Sequence, residues 1–249
     1  FVQEANWPAI RERDYIFASW AWNMFDFPSD LRQEGDAIDL NTKGLMTFDR
    51  KTRKDAFYYY KAQWNPAPMI HLTGKRYEAR AYPVMEVKAY TNASTARLSI
   101  NGKPVGEVAC ADSICLWPAV ALAPGSNRAV VTASSAGVTV EDSAEWIGPD
   151  PLRTGIAIDA GDLAGRIAGG RQFGSDNFVT GGVPMILNLE GFGRKAANPR
   201  KVETPTPSLF DYWREGEAFS YAIPLPDGRW TVTIHTFEPS SVASGAKTM

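Results

Sequence analysis

The apolar positions divide the chain into three stretches: helical spacing first, strict alternation next, then short runs broken by glycines. Val2, Ala5, Asn6 and Ile10 recur loosely at helical spacing, which predicts a helix up to about Arg13, with Pro8 tolerated near its start. Trp20-Ala21-Trp22-Asn23-Met24-Phe25 is too short for a free-standing helix and rich in rings, so it reads as a short buried strand. Asp26, Phe27, Pro28 and Ser29 stop it and open a polar loop. A second helix is predicted from Thr52. It places Ala56, Tyr59 and Tyr60 on one face and Lys51, Lys54 and Lys61 on another, and Asn65-Pro66-Ala67-Pro68 ends it. Strand, polar loop and helix make one βα unit.

Over 67–147 alternation replaces helical spacing, as in Val84-Met85-Glu86-Val87-Lys88-Ala89-Tyr90 and Ala96-Arg97-Leu98-Ser99-Ile100. Strands are predicted near 69–73, 84–91, 95–101, 105–109, 114–117, 127–134 and 137–146. Asn101-Gly102 is a hairpin signal and Pro124-Gly125 a turn. This many short strands at this spacing is the pattern of an immunoglobulin-like sandwich. Gly148-Pro149-Asp150-Pro151 reads as a stiff linker, and the glycine-rich remainder as a second β-sandwich. A phosphate-cradling loop would need a strand, Gly-x-Gly-x-x-Gly and a helix, and Gly165–Gly174 has neither that spacing nor a following helix.

Composition narrows the chemistry. With 249 residues, 44% of them hydrophobic, the chain can bury a sizeable core and suggests one to three domains. A net charge of −2 without long runs of one sign favours neither nucleic acid nor a membrane surface. No apolar run approaches the roughly 20 residues that span a bilayer. Twelve per cent aromatics beside two histidines suits a carbohydrate-handling protein better than a metalloenzyme, and neither cofactor nor metal is expected. The first residues resemble neither an initiator segment nor a signal peptide, so the chain reads as the interior of a longer protein.

The words "WAWNMFDF", "LNTKGLMTFDRKTRKDAFYYYKAQWNP" and "HLTGKRY" resemble the last strand and helix of the (β/α)8 catalytic barrel in family 2 glycoside hydrolases. The likeness is strongest to bacterial β-galactosidase-like members. It implies that 1–66 is the end of a TIM barrel and that 67–147 is the family's immunoglobulin-like sandwich, through "TNASTARLSINGKPVG", "LWPAVALAPGSNRAVVTA" and "VEDSAEW". Ile158-Asp159-Ala160-Gly161, Phe173-Gly174-Ser175-Asp176 and Trp213-Arg214-Glu215-Gly216 resemble malectin-like carbohydrate-binding domains, which makes 148–249 such a module, its closing strands missing. The fold class expected is therefore mainly β: two sandwiches preceded by the last βα unit of a barrel.

The resemblance also implies a function. Retaining glycosidases use two carboxyl groups about 5–5.5 Å apart. In the family both are glutamates on earlier strands, before Phe1, so no catalytic residue is expected here and the chain alone should be inactive. Residues 1–66 should then be poorly ordered unless another segment completes them. Glu4 and Glu12 read as solvated helix charges. Substrate contacts would come from Trp22, which matches a barrel-end tryptophan stacking on the sugar, and from Asp26 on the same loop. Asn41-Thr42-Lys43-Gly44 matches the Asn-x-Lys-Gly motif with which family β-glucuronidases grip the sugar carboxylate, a fitting task for an amide and an ammonium. β-Galactosidase-like relatives carry it too. The leading expectation is thus the C-terminal part of a β-galactosidase acting on glycosides. The alternatives are a β-glucuronidase using Asn41 and Lys43, or a non-catalytic carbohydrate-binding protein.

In the malectin-like part Tyr212 and Trp213 are the candidate sugar-binding rings, with Phe173 and Asp176 beside them. Sandwich core is the competing role for all four. Cys110 and Cys115 can pair across a hairpin, but the loop closed would be small, and free thiols are favoured. Asn92-Ala93-Ser94 fits a glycosylation sequon of a kind common by chance. An extracytoplasmic bacterial home is the favoured localisation.

Overall fold

The computed structural model describes residues 2–34, 37–186 and 204–237. The chain is mainly β and divides into two compact units between Asp150 and Pro151.

The first unit opens with α1 (Val2–Arg11), which runs through Pro8. A two-stranded antiparallel hairpin follows, β1 (Phe27–Glu34) with β2 (Ala37–Asn41), inside the stretch read as polar loop. Next comes α2 (Asp55–Trp64), three residues later than predicted, with Tyr59 and Ala62 buried. Seven strands then appear where alternation placed them: β3 (Ile70–Leu72), β4 (Val84–Thr91), β5 (Thr95–Ile100), β6 (Lys103–Ala111), β7 (Ile114–Ala121), β8 (Gly125–Ser135) and β9 (Val138–Gly148). They follow the order β3-β4-β7-β6-β5-β8-β9, all antiparallel. β6 joins β7 only through Cys110–Ala111 against Ile114–Cys115 and lies along β5 for the rest of its length, so it carries the chain from one layer to the other.

Between the layers lie Leu72, Val87, Leu98, Trp117, Val120, Val131 and Trp146, every one nearly inaccessible. Asn101 and Gly102 both adopt positive φ, the geometry that a two-residue hairpin requires.

Both helices dock on this sandwich. Tyr59 and Ala62 of α2 pack with Met69 and Tyr90, and Trp7, Tyr58, Tyr60 and Ile114 close around them. Glu4 of α1 is no solvated charge. It pairs with Lys88 at 3.0 Å, accepts the Tyr90 hydroxyl, and is held below the usual glutamate range by these partners even though burial opposes them. Glu12 stays exposed. The expectation of poor order over 1–66 is therefore corrected for both helices, whose anchor is the sandwich face at β4. The expected buried strand at Trp20–Phe25 is also corrected. Trp20 and Trp22 are 84% and 74% exposed, and the segment is tied on one side only, to residues 45–46. A strand is buried by neighbours on both edges and a layer above, and the described residues supply one edge.

Cys110 and Cys115 form a disulfide, which corrects the expectation of free thiols. They are directly opposed in the β6–β7 register with Cα atoms 4.3 Å apart, a close pairing that brings the two sulfurs together.

The second unit begins with a single helical turn, α3 (Pro151–Thr154). Its described strands form two antiparallel pairs, β10 (Arg166–Ala168) with β11 (Arg171–Phe173) and β12 (Val179–Ile186) with β13 (Tyr212–Tyr221).

Candidate functional site

Residues 23–26 and 44–46 run side by side. Leu45 donates to the Asn23 carbonyl at 2.9 Å, Met46 to Met24 at 2.9 Å, and Asp26 to Met46 at 3.0 Å. β2 delivers Asn41 beside Phe27, so the Trp22 segment and the Asn-Thr-Lys-Gly turn meet. Asn41 is buried, and its Oδ1 accepts the Lys43 amide at 3.1 Å, an Asx-type turn. Gly44 is needed for close approach. A Cβ there would stand 2.2 Å from the Asp26 nitrogen and 2.3 Å from the Phe25 carbonyl carbon.

Asp26 is buried too. Its Oδ1 accepts the Gly44 amide at 3.0 Å and the Lys54 ammonium at 2.5 Å. Lys54 Nζ also donates to the Thr42 carbonyl at 2.7 Å, and the Lys54 amide to Leu45 at 2.9 Å. One lysine thus fastens the turn on both sides of Lys43. Lys54 escaped the sequence reading, which placed it on a basic helix face. A buried carboxylate needs a cationic partner, but nothing local to Lys54 marks Asp26, 28 residues away, as its own.

The four candidates divide into two roles. Asp26 and Asn41 face inward and hold the turn; Trp22 and Lys43 are displayed to solvent. The Trp22 ring meets Phe27 edge to face at 6.2 Å. Next to it lies a hollow of about 430 Å³ lined by Asn23, Phe25, Asp26, Phe27, Phe48 and Arg50. Asn23 Oδ1 is buried without a hydrogen-bond partner among the described residues, and Arg50 lies 4.7 Å over the Phe25 ring. Rings, an amide and a guanidinium around an open hollow are chemistry that can hold a sugar.

The second-unit candidates have partners within their own unit. The Asp176 carboxylate is 1% exposed and accepts Arg214 Nε at 2.7 Å, the Tyr221 hydroxyl at 2.6 Å and the Gly161 amide at 2.8 Å. Trp213 is half-buried, bonds Glu215 through its indole N–H at 2.9 Å and meets Phe237 edge-on at 5.5 Å. Gly161, at φ +86°, backs directly onto the Trp213 backbone. Tyr212 lies under Arg166, whose guanidinium is 5.0 Å from the ring, and Phe173 sits on β11 with Arg171 6.0 Å away. Arg166 is also ringed by Asp159 at 2.7 Å, Asp162 at 2.9 Å and Asp211 at 3.6 Å. Burial pushes Asp159 up to about 7, outweighing the pull of Arg166.

Among the described residues no three His, Cys, Asp or Glu side chains are grouped to hold a metal, and no helix is long and apolar enough to cross a membrane.

No family model matches the chain. A β-glucuronidase of Bacteroides fragilis is 46% identical to it over 129 residues, 51% of this chain and 19% of that protein. The chain is similar to bacterial glycosidases. A solved structure of a putative β-galactosidase from Bacteroides fragilis is 34% identical and superposes with a TM-score of 0.55, covering 59% of this chain and 22% of that one. A Bacteroides uniformis β-glucuronidase covers 84% of this chain and 26% of its own at a TM-score of 0.63; at 22% identity it shows the shared fold alone. The chain spans about a fifth of that curated relative and about a quarter of these solved chains. β-Glucuronidases and a putative β-galactosidase thus stand among the proteins it is similar to.

Proposed function

We propose that the chain is the C-terminal part of a retaining exo-β-glycosidase and that its substrate is a terminal β-glucuronide. The acid/base and nucleophile carboxylates would come from outside these residues. The observation that carries this reading is the display of Lys43. It is exposed in the middle of a turn whose flanking residues are pinned by Asn41, Asp26 and Lys54, beside an exposed tryptophan. A cation whose backbone cannot shift is pre-organised for a carboxylate, and Trp22 offers the sugar a stacking face. The 46% identity to a β-glucuronidase supports the same substrate.

A β-galactoside is the second reading, favoured by the 34% identity to a putative β-galactosidase. In either case the sandwich at 67–147 is assigned a buttressing role, and 148–249 that of a malectin-like carbohydrate-binding module. The Cys110–Cys115 disulfide supports an extracytoplasmic home.

The test is kinetic. The full-length protein is offered p-nitrophenyl β-glucuronide and p-nitrophenyl β-galactoside, as wild type and as Lys43→Ala. The expected result is faster glucuronide turnover by the wild type, with kcat/KM falling about 100-fold in the variant, the cost of leaving the substrate carboxylate without its cation. Preference for the galactoside, undiminished by Lys43→Ala, would transfer the assignment to the second reading. Turnover of neither would leave a carbohydrate-binding protein.

A further inference from the structure

One buried histidine ties the N-terminal end of α2, and with it the candidate turn, to the sandwich. His71 on β3 is 4% exposed. Its Nε2 donates to Asp55 Oδ1 at 2.9 Å, and its Nδ1 lies 3.5 Å from Asp142 Oδ2 on β9. The Tyr58 ring, one turn along α2 from Asp55, stacks flat on the imidazole at 3.6 Å and 9°. α2 therefore grips His71 at two points.

The two carboxylates are held in turn. Asp55 Oδ2 accepts the Gly74 amide at 2.9 Å. Asp142 accepts the Leu72 amide at 2.9 Å and the Lys75 ammonium at 2.8 Å. Both are held below the usual aspartate range by these bonds, against the effect of burial. Asp55 is also the first residue of α2, and the residue before it is Lys54. Lys54 fastens the carbonyls of Thr42 and Leu45 and the carboxylate of Asp26, all around Lys43. One peptide bond thus separates the His71 anchor from the lysine that shapes the turn.

We propose that His71 is a positioning residue for substrate binding: from the sandwich it fixes the N-terminus of α2, and through Lys54 the turn that presents Lys43. This inference rests on the reading that Lys43 holds the sugar carboxylate. The sandwich then does more than buttress. It sets where the cation stands, and a shift of about 1 Å at such a group can cost a large factor in productive binding.

Two measurements on the full-length protein test it. The first is amide hydrogen exchange over 44–46 in wild type, His71→Ala and His71→Gln. Exchange there should quicken in His71→Ala and return toward wild type in His71→Gln, whose side-chain amide still offers Asp55 an N–H. The second is glucuronide kinetics of the same variants in the Lys43 and Lys43→Ala backgrounds. His71→Ala should raise KM about tenfold with kcat within about twofold, and this increment should vanish once Lys43 is alanine.

Unchanged exchange at 44–46 in His71→Ala would overturn the proposal. So would a KM increment of the same size in both Lys43 backgrounds, because His71 would then act on the fold at large. If Lys43→Ala alone left glucuronide KM untouched, the carboxylate reading would fall and take the kinetic part of the proposal with it. The exchange experiment would still decide whether His71 positions the turn. A His71→Ala protein that failed to fold would be replaced by Asp55→Asn, which keeps the shape and weakens the same bond, and the same two readouts would decide.

Discussion

Gly44 is the residue on which the turn at 41–44 depends most directly. It lies so close to the Phe25–Asp26 backbone that any Cβ must displace main-chain atoms, which cannot rotate away as a flexible side chain would. Gly44→Ala should therefore destabilise the first unit by about 1–3 kcal/mol, the usual range for overpacking, and toward the upper end because backbone must move. Urea unfolding followed by tryptophan fluorescence would measure this, and a midpoint equal to wild type would refute the steric account. The same residue shows how far the site could be read without coordinates. The motif fitted a carboxylate grip, and it marked Asn41, Lys43 and Gly44 together. What each does depends on direction. Asn41 and Asp26 point inward to bind the turn and Lys43 outward, which spacing alone does not reveal. Lys54 and His71 were missed because their importance comes from partners 28 and 16 residues away. Nothing local to either residue marks such a partner.

Among the elements, the β6–β7 hairpin does more than pair strands. Its turn residues Asp112 and Ser113 both adopt positive φ, and its tip touches both helices. Asp112 pairs with Arg11 of α1 at 2.8 Å and its carbonyl accepts Gln63 of α2 at 2.6 Å, while Ser113 donates to the Ala62 carbonyl at 3.5 Å. The disulfide closes the base of this tip. In the chain-entropy picture so small a loop is worth about 2 kcal/mol. Replacing both cysteines by alanine should cost about that much, and amide exchange should rise at the C-terminal end of α2 before it rises in the sandwich core. The wild type, unfolded in denaturant but not reduced, should take up no thiol reagent. Uptake without reductant would contradict the disulfide. Strands such as β5 and β8 were legible because burial alternates along them, as at Ala96, Leu98 and Ile100. The β1–β2 hairpin was not, since Phe27-Pro28-Ser29-Asp30 shows no alternation and carries a proline. The free thiols were inferred from loop length, whereas the opposed register of Cys110 and Cys115 decided the matter.

At the scale of the whole molecule, the two units should answer acid in opposite ways. The first is held by carboxylates whose pKa values lie below their ordinary 3.8 or 4.5: Glu4, Asp55 and Asp142. A group depressed on folding contributes stability that is present above its unfolded pKa and lost as pH falls through the folded one. The first unit should therefore hold steady from pH 8 to about 5 and weaken below about 4. In the second unit Asp159 is raised from 3.8 to about 7 by burial and by the neighbouring Asp162 and Asp211, against the pull of Arg166. A raised group contributes stability that is complete below its unfolded pKa and lost as pH climbs through the folded value. The second unit should accordingly gain stability as pH drops from 8 toward 5, the interval in which the first does not change. Amide exchange resolved by peptide at pH 8, 6.5 and 5, corrected for intrinsic rates, would report on each unit separately. Protection of the β10–β11 and β12–β13 pairs should rise toward pH 5, and Asp159→Asn should flatten that rise while leaving the sandwich strands unaffected. Parallel responses of the two units between pH 8 and 5, or an undiminished rise in Asp159→Asn, would remove Asp159 as its source.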